Sequence, residues 1–115
     1  SYKPDNLVAI IDQNGLQATD SCEAILPNPD QTIKWAAFGW HTIEINGHDL
    51  EAIVAALEEA RATRGKPTLI VANTVKGKGF PFAEGKVAFH NAALNQEQFD
   101  LGLAAVEKMM QEAAQ

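Results

Sequence analysis

The stretch LVAIIDQNGLQ at residues 7–17 decides the expected fold of this chain. Its apolar run at residues 7–11 is rich in β-branched side chains and is bounded by polar residues, a pattern typical of a strand buried on both faces. Polar groups follow at once, and α/β proteins bind ligands beyond the carboxyl ends of parallel strands. Asn14 is therefore a candidate ligand-binding residue. The alternative is that Asn14 and Gly15 only form a tight turn, because both residue types tolerate positive φ.

Two further strands and a helix are predicted downstream. Residues 40–45 alternate in part and indicate a strand near a sheet edge, since polar and charged residues interrupt the apolar pattern. Residues 50–63 indicate a helix capped by Asp49. Its apolar stripe consists of Ile53, Ala56, Leu57 and Ala60. Residues 68–72 are predicted to form a second fully buried strand, and the alternation of strands with helices predicts right-handed crossovers and a parallel sheet.

The segment between the first two strands is predicted to be mostly irregular. Residues 18–30 contain polar and turn residues, including Pro27 and Pro29, which is typical of a loop with a short anchored turn. Asp30 is then expected to cap a short helix that ends at Gly39.

A final helix is predicted over residues 96–113, because Asn95 and Gln98 have the spacing of a capping box. Its apolar side consists of Leu101, Leu103, Ala104, Val106 and Met110. Gly102 is expected to weaken this helix, since glycine is a poor helix former. Together the elements predict a three-layer α/β fold, in which a parallel sheet is flanked by helices.

Composition limits the class of protein. The chain has 115 residues, of which 46% are hydrophobic and 21% charged, values typical of one soluble globular domain. A net charge of -6 argues against nucleic acid or an anionic membrane as a partner. The single cysteine, Cys22, fits a reducing compartment, and no apolar run is long enough for a membrane span, so a cytoplasmic location is expected. A core strand so close to the start suggests part of something larger.

Six motifs, taken together and in order, resemble the thiamine diphosphate-binding half of transketolase. They are DQNGLQ (12–17), KWAAFGW (34–40), INGHD (45–49), KPT (66–68), TVKGKG (74–79) and FHNA (89–92). The resemblance covers nearly the whole chain, up to about Ala93. It implies that residues 1–115 are the carboxyl-terminal portion of a thiamine diphosphate-binding domain. The implied reaction moves a two-carbon ketol unit between sugar phosphates, with thiamine diphosphate and magnesium as cofactors.

The resemblance also implies roles for individual residues. Asn14 matches the asparagine whose side-chain oxygen binds magnesium, and Leu16 matches the position whose backbone carbonyl binds it. Gly15, between these two residues, supplies an unusual backbone φ. Calcium is a possible substitute for magnesium at this site. His90 matches the histidine that reaches the diphosphate and the donor sugar. Asn91 stands where the family usually has glycine, and a left-handed turn there is expected to be tolerated.

One part of the family's site has no match in this sequence. The family's carboxylate ligand lies in an upstream Gly-Asp-Gly motif, and no such motif occurs in the chain. The resemblance therefore implies the remaining transketolase domains or a partner subunit, together with a homo-oligomer, as partners. The isolated chain is expected to be inactive.

Other thiamine diphosphate enzymes are alternatives to transketolase, namely deoxyxylulose-phosphate synthase and the decarboxylating component of a 2-oxoacid dehydrogenase. A non-catalytic binding or assembly module is an alternative of another class. The TVKGKG motif is not a P-loop, because the Walker spacing is absent. Its Lys76 and Lys78 either attract phosphate or form a solvated basic loop. His48 and Asp49 look like a catalytic pair, but a turn and an N-cap explain them better.

Overall fold

Three parallel strands form one sheet in this protein, seen in a computed structural model that describes residues 4–28 and 30–114. The elements are β1 (Val8–Gln13), α1 (Cys22–Ile25), α2 (Gln31–Ala37), β2 (His41–Asn46), α3 (Leu50–Ala62), β3 (Thr68–Asn73), a 3₁₀ helix (Val87–Phe89) and α4 (Gln96–Ala113). The sheet order is β1-β3-β2, with both pairings parallel. The predicted α/β class is therefore confirmed. Pro29 and both ends of the expected 1–115 domain lie outside the described residues.

The chain divides into two compact units. The first contains Ser1–Gly15 and Leu26–Thr74, and it therefore holds the whole sheet with α2 and α3. The second contains Leu16–Ile25 and Val75–Gln115, and it holds α1, the 3₁₀ helix and α4. None of the helices in the described part of the chain combines the length and apolar character that a membrane crossing requires.

The central strand β3 carries the core of the first unit. Leu69 and Val71 are fully buried on one face, and Ile70 on the other face packs against Ala56 and Ala60 of α3. The small alanine side chains let the helix approach the sheet closely. Burying each large apolar side chain contributes about 1.5–3 kcal/mol, so β3 and α3 supply much of this unit's stability. The prediction of a fully buried strand at residues 68–72 is confirmed for residues 68–71, and Ala72 is half-buried.

The strand β1 differs from its prediction. It lies at a sheet edge, and Val8 and Ile10 are 41% and 62% exposed, so the expectation of burial on both faces is wrong. These side chains share a face with Ile70, on which α3 packs over β3 and β2. A cleft remains between Val8 and Leu57 of α3, and Leu57 is half exposed instead of buried in the stripe. An apolar run alone does not distinguish a central strand from an edge strand.

The short helix α2 begins where the sequence predicts. The Asp30 carboxylate accepts hydrogen bonds from the Ile33 backbone N–H at 3.0 Å and from Thr32 Oγ1 at 2.7 Å. These bonds, the backbone one first, lower the pKa of Asp30, because they favour its charged form. The cap is therefore intact at neutral pH and weakens as the pH falls through this lowered pKa.

The second unit is built on α4, whose bounds match the predicted 96–113. Its capping box is present: the Gln98 backbone N–H donates to Asn95 Oδ1 at 2.8 Å, and the Asn95 N–H donates to Gln98 Oε1 at 3.0 Å. Gly102, which is expected to weaken the helix, also has a packing role. Gly102 is buried, and a Cβ built on it would lie 3.2 Å from the Phe80 ring, so glycine here permits close packing. Much of the predicted apolar side is exposed, including Leu101, Leu103 and Met110.

The N-cap of α3 gives a direct test of its predicted structural role. Asp49 Oδ1 accepts hydrogen bonds from the backbone N–H groups of Glu51 and Ala52 at 3.0 and 3.1 Å. We expect Asp49→Ala to lower the free energy of unfolding by about 1 kcal/mol, measured by urea denaturation. Asp49→Asn keeps a capping oxygen and should retain most of that stability. Full stability of Asp49→Ala would contradict the capping role.

Candidate functional site

The carboxyl edge of the sheet concentrates polar side chains in the first unit. The three strands end in register at Gln13, Asn73 and Asn46, so each strand finishes with an amide. Ligands of parallel α/β sheets bind beyond this edge. The edge is therefore the candidate functional site of this unit.

On one face, a chain of hydrogen bonds crosses all three strands. Gln13 Nε2 donates to Asn73 Oδ1 at 2.9 Å, and Asn73 Nδ2 donates to Glu44 Oε1 at 2.7 Å. An ionised carboxylate only accepts hydrogen bonds, so the NH₂ group of Asn73 must point toward Glu44. The Asn73 side-chain oxygen then points toward Gln13. We call Gln13, Asn73 and Glu44 the amide ladder. Sequence analysis missed this ladder. The amides that end β1 and β3 mark two of its members in the sequence, but nothing there marks Glu44 or the bonds themselves.

On the opposite face, Thr74 binds the end of β1. Its hydroxyl hydrogen-bonds to the Asp12 carboxylate, and its backbone N–H donates to the Gln13 carbonyl at 3.3 Å. Gly47 donates its N–H to the Asn73 carbonyl at 2.8 Å. A Cβ on Gly47 would lie 2.5 Å from Thr74 Cγ2, so this position requires glycine. The ends of all three strands are therefore packed tightly together.

Asn14 is the first residue beyond this arrangement. It follows the last paired residue of β1 and is half-buried. Gly15 has a φ of 71°, a left-handed value that costs residues with a side chain about 1–2 kcal/mol. The chain thus turns at Gly15 as the sequence predicts, and Asn14 lies at the start of that turn.

The other predicted site residues belong to the second unit. Leu16 forms an isolated antiparallel bridge with Ser21, and the Gln17 N–H donates to the Asp20 carbonyl at 2.8 Å, which closes a small loop. His90 ends the 3₁₀ helix and donates its backbone N–H to the Val87 carbonyl at 2.9 Å. Its side chain is exposed and accessible to a ligand.

The backbone at residue 91 does not need a left-handed conformation. Within residues 4–28 and 30–114, Asp30 is the only non-glycine residue with positive φ. The expected left-handed turn at Asn91 is therefore wrong. The chain bends at His90 and Asn91 with ordinary backbone angles, which asparagine accommodates without strain.

The glycine-rich loop after β3 folds onto itself. Gly77 and Gly79 have positive φ, and a Cβ on Gly77 would lie 2.9 Å from the Ala83 carbonyl oxygen. Glu84 Oε1 accepts a hydrogen bond from the Gly79 N–H at 2.9 Å and lies 3.6 Å from Lys78 Nζ. Gly77 and Gly79 therefore have a structural role in the packing of this loop.

The other side chains that could titrate near neutral pH or act as nucleophiles are His41, His48 and Cys22. His41 Nε2 lies 2.6 Å from Glu59 Oε1, and His48 donates its backbone N–H to Asn46 Oδ1 at 3.0 Å. Cys22 is a half-buried free thiol. No group of three or more His, Cys, Asp or Glu side chains is arranged to hold a metal ion within the described residues.

Comparison with known proteins identifies the family. The family model of the transketolase thiamine diphosphate binding domain matches residues 1–107. The chain belongs to the transketolase family. The resemblance drawn from the six sequence motifs is thereby confirmed, and the matched region is the thiamine diphosphate-binding domain of these enzymes.

Transketolase relatives with two different named substrates match closely. The 6-deoxy-6-sulfo-D-fructose transketolase subunit SqwG of Clostridium sp. (strain MSTE9) is 43% identical over 104 residues, which cover 90% of this chain and 38% of the relative. An apulose-4-phosphate transketolase subunit of Phocaeicola vulgatus is 36% identical over 110 residues, which cover 96% and 39%. The chain thus spans about two fifths of the length of these curated relatives.

Solved transketolases share the fold. The transketolase of Campylobacter jejuni matches with a TM-score of 0.79 and 34% identity, covering 85% of this chain and 15% of that chain. A transketolase of Pichia stipitis in complex with sedoheptulose-7-phosphate matches with a TM-score of 0.77 and 31% identity, covering 85% and 14%. The parallel sheet with its flanking helices is therefore a transketolase-type arrangement.

Proposed function

We propose that this chain is part of a transketolase that transfers a two-carbon ketol unit between sugar phosphates. In this proposal Asn14, Gly15, Leu16 and His90 contribute to a thiamine diphosphate and magnesium site. The observation that carries it is the position of Asn14 and Gly15 directly after β1, at the ligand-binding edge of a parallel sheet. The family match supplies the cofactor class.

The donor atoms of this segment fit a hard cation. Magnesium takes oxygen ligands in near-octahedral geometry and shares them between phosphates and a few protein groups. Asn14 offers its side-chain oxygen, and Leu16 offers its backbone carbonyl. Calcium accepts the same oxygen donors with longer bonds and looser geometry, so it is a possible substitute. We propose that the carboxylate ligand comes from the remaining transketolase domains or a partner subunit.

His90 is proposed to contact the diphosphate and the donor sugar. Its imidazole can donate a hydrogen bond to a phosphate or hydroxyl oxygen. Thiamine diphosphate, when bound, supplies the carbanion chemistry. The residues of this chain hold the ion, orient the diphosphate and contact the sugar.

Two classes of sugar are candidate substrates. The motifs shared with transketolases favour sugar phosphates, and one relative is named for apulose-4-phosphate. The more similar relative is named for 6-deoxy-6-sulfo-D-fructose, which favours a sulfonated sugar as the second candidate. Parallel ketol-transfer assays with fructose-6-phosphate and with the sulfonated sugar, on the same assembled enzyme, distinguish the two.

We propose that the active enzyme contains further domains or subunits besides this chain. Both relatives are named as subunits, so we propose a partner subunit or further domains, in a homo-oligomer of the complete enzyme. Their names also favour transketolase over deoxyxylulose-phosphate synthase, a 2-oxoacid dehydrogenase and a non-catalytic module. The cytoplasmic location expected from the sequence and the single-domain assignment of residues 1–115 stay predictions.

The proposed metal-binding role of Asn14 predicts that its substitution lowers the affinity for magnesium. In the assembled enzyme, Asn14→Ala should weaken magnesium affinity by at least about 10-fold, because loss of even an outer-shell partner of a metal ligand costs about 10–100-fold. Leu16→Ala should matter less, since its proposed ligand atom belongs to the backbone. Calorimetric titration of thiamine diphosphate at a series of magnesium concentrations measures both. Equal affinities for Asn14→Ala and the parent would remove Asn14 from the site.

The three histidines provide matched variants for the substrate contact. His90→Ala should lower kcat/KM by about 10–100-fold, because hydrogen bonds to charged groups contribute about 1.5–3 kcal/mol. His41→Ala and His48→Ala should change thermal stability more than kinetics. Steady-state kinetics and melting curves of the three variants decide the assignment. A neutral His90→Ala together with an inactive His48→Ala would overturn it.

A further inference from the structure

The register of β1 is not fixed by its apolar pattern. Val8 and Ile10 occupy one face of the strand, and Ala9 and Ile11 occupy the other, so both faces are apolar. A slip of one residue moves every side chain of a strand to the opposite face. Because a slip would still leave apolar residues on both faces, the apolar pattern alone does not select the register, and other contacts contribute to it.

Two polar contacts at the carboxyl end favour the observed register, and at the amino end the Gly65 N–H donates to Asp5 Oδ2 at 3.2 Å. Gln13 reaches Asn73 on one face, and Asp12 reaches Thr74 on the other. A slip of one residue would exchange the faces of Asp12 and Gln13 and break both contacts. At the carboxyl end, these contacts therefore favour the observed pairing of Gln13 with Asn73, directly before Asn14.

Asn73 is the central member of this arrangement. It accepts a hydrogen bond from Gln13 and donates one to Glu44, and it thereby links the two edge strands through the central one. Both of its side-chain polar atoms are engaged within the first unit. Its hydrogen bonds thus act on the end of β1.

We propose that Asn73 is a positioning residue for Asn14. Through Gln13 it fixes the end of β1, and so it fixes the point from which Asn14 presents its side-chain oxygen to the magnesium ion. This inference rests on the proposed function, because it takes Asn14 as a magnesium ligand. It assigns Asn73 no contact with cofactor or substrate.

Two variants of the assembled enzyme separate the hydrogen bonds from the residue itself. Asn73→Leu removes both bonds at similar size. The double variant Glu44→Gln with Asn73→Asp restores both bonds. The bond between positions 44 and 73 reverses its direction, because the amide at position 44 donates to the carboxylate at position 73, and that carboxylate still accepts from Gln13. This double variant has the same net charge as the parent. Gln111→Leu makes a comparable amide-to-apolar change at an exposed position of α4 and serves as the control.

The readout is the magnesium dependence of thiamine diphosphate binding, measured by calorimetry beside thermal melting. We expect Asn73→Leu to weaken magnesium affinity by about 10-fold, the double variant to return it to the parent value, and Gln111→Leu to leave it unchanged. Rescue by the double variant would not occur if Asn73 touched the cofactor directly.

Other outcomes overturn the inference. Parent-like magnesium affinity in Asn73→Leu, with a loss in Asn14→Ala, rejects the positioning role while leaving the proposed function intact. An equal loss in Asn73→Leu and the double variant, with unchanged melting temperatures, rejects the hydrogen bonds as its cause. Parent-like affinity in Asn14→Ala instead rejects the proposed function on which the inference rests.

Discussion

The parallel pairing of β1 with β3 is the constraint on which the candidate site depends. It places Gln13 opposite Asn73, so that the chain leaves the sheet at Asn14 and turns at Gly15. Backbone hydrogen bonds alone would accept another register, because parallel ladders are regular along the strand. The contacts of Asp12 and Gln13 with residues 73 and 74 make one register better than its neighbours.

Stability and specificity have different sources in the first unit. Burial of Leu69, Ile70 and Val71 against the flanking layers contributes about 1.5–3 kcal/mol for each side chain. Each partly exposed hydrogen bond of the amide ladder contributes only about 0.5–1.5 kcal/mol. A difference of about 1.4 kcal/mol nevertheless changes a population tenfold, which is enough to select a register. The core therefore holds the sheet together, while the polar contacts determine where β1 ends.

Sequence patterns within a few residues predicted most helices and strands. The wrong predictions concern features that depend on contacts between residues far apart in the sequence. The caps at Asp49 and Asn95 and the buried run of β3 are encoded within a few residues, and their predictions are confirmed. Gln13 and Asn73 are 60 residues apart in sequence, so no local pattern reveals their bond. The edge position of β1 likewise depends on the strand order. The roles of Asn14, Leu16 and His90 came from family motifs and stay predictions.

The most direct measurement is a calorimetric titration with thiamine diphosphate and magnesium, on this chain alone and on the assembled enzyme. We expect roughly micromolar binding by the assembled enzyme and roughly millimolar binding by the chain alone, a difference of about 4 kcal/mol. The reason is that one charged ligand and the rest of the pocket are proposed to come from other parts of the enzyme. Micromolar binding by the chain alone, or ketol transfer without a partner, would contradict the proposal that this chain supplies only part of the site.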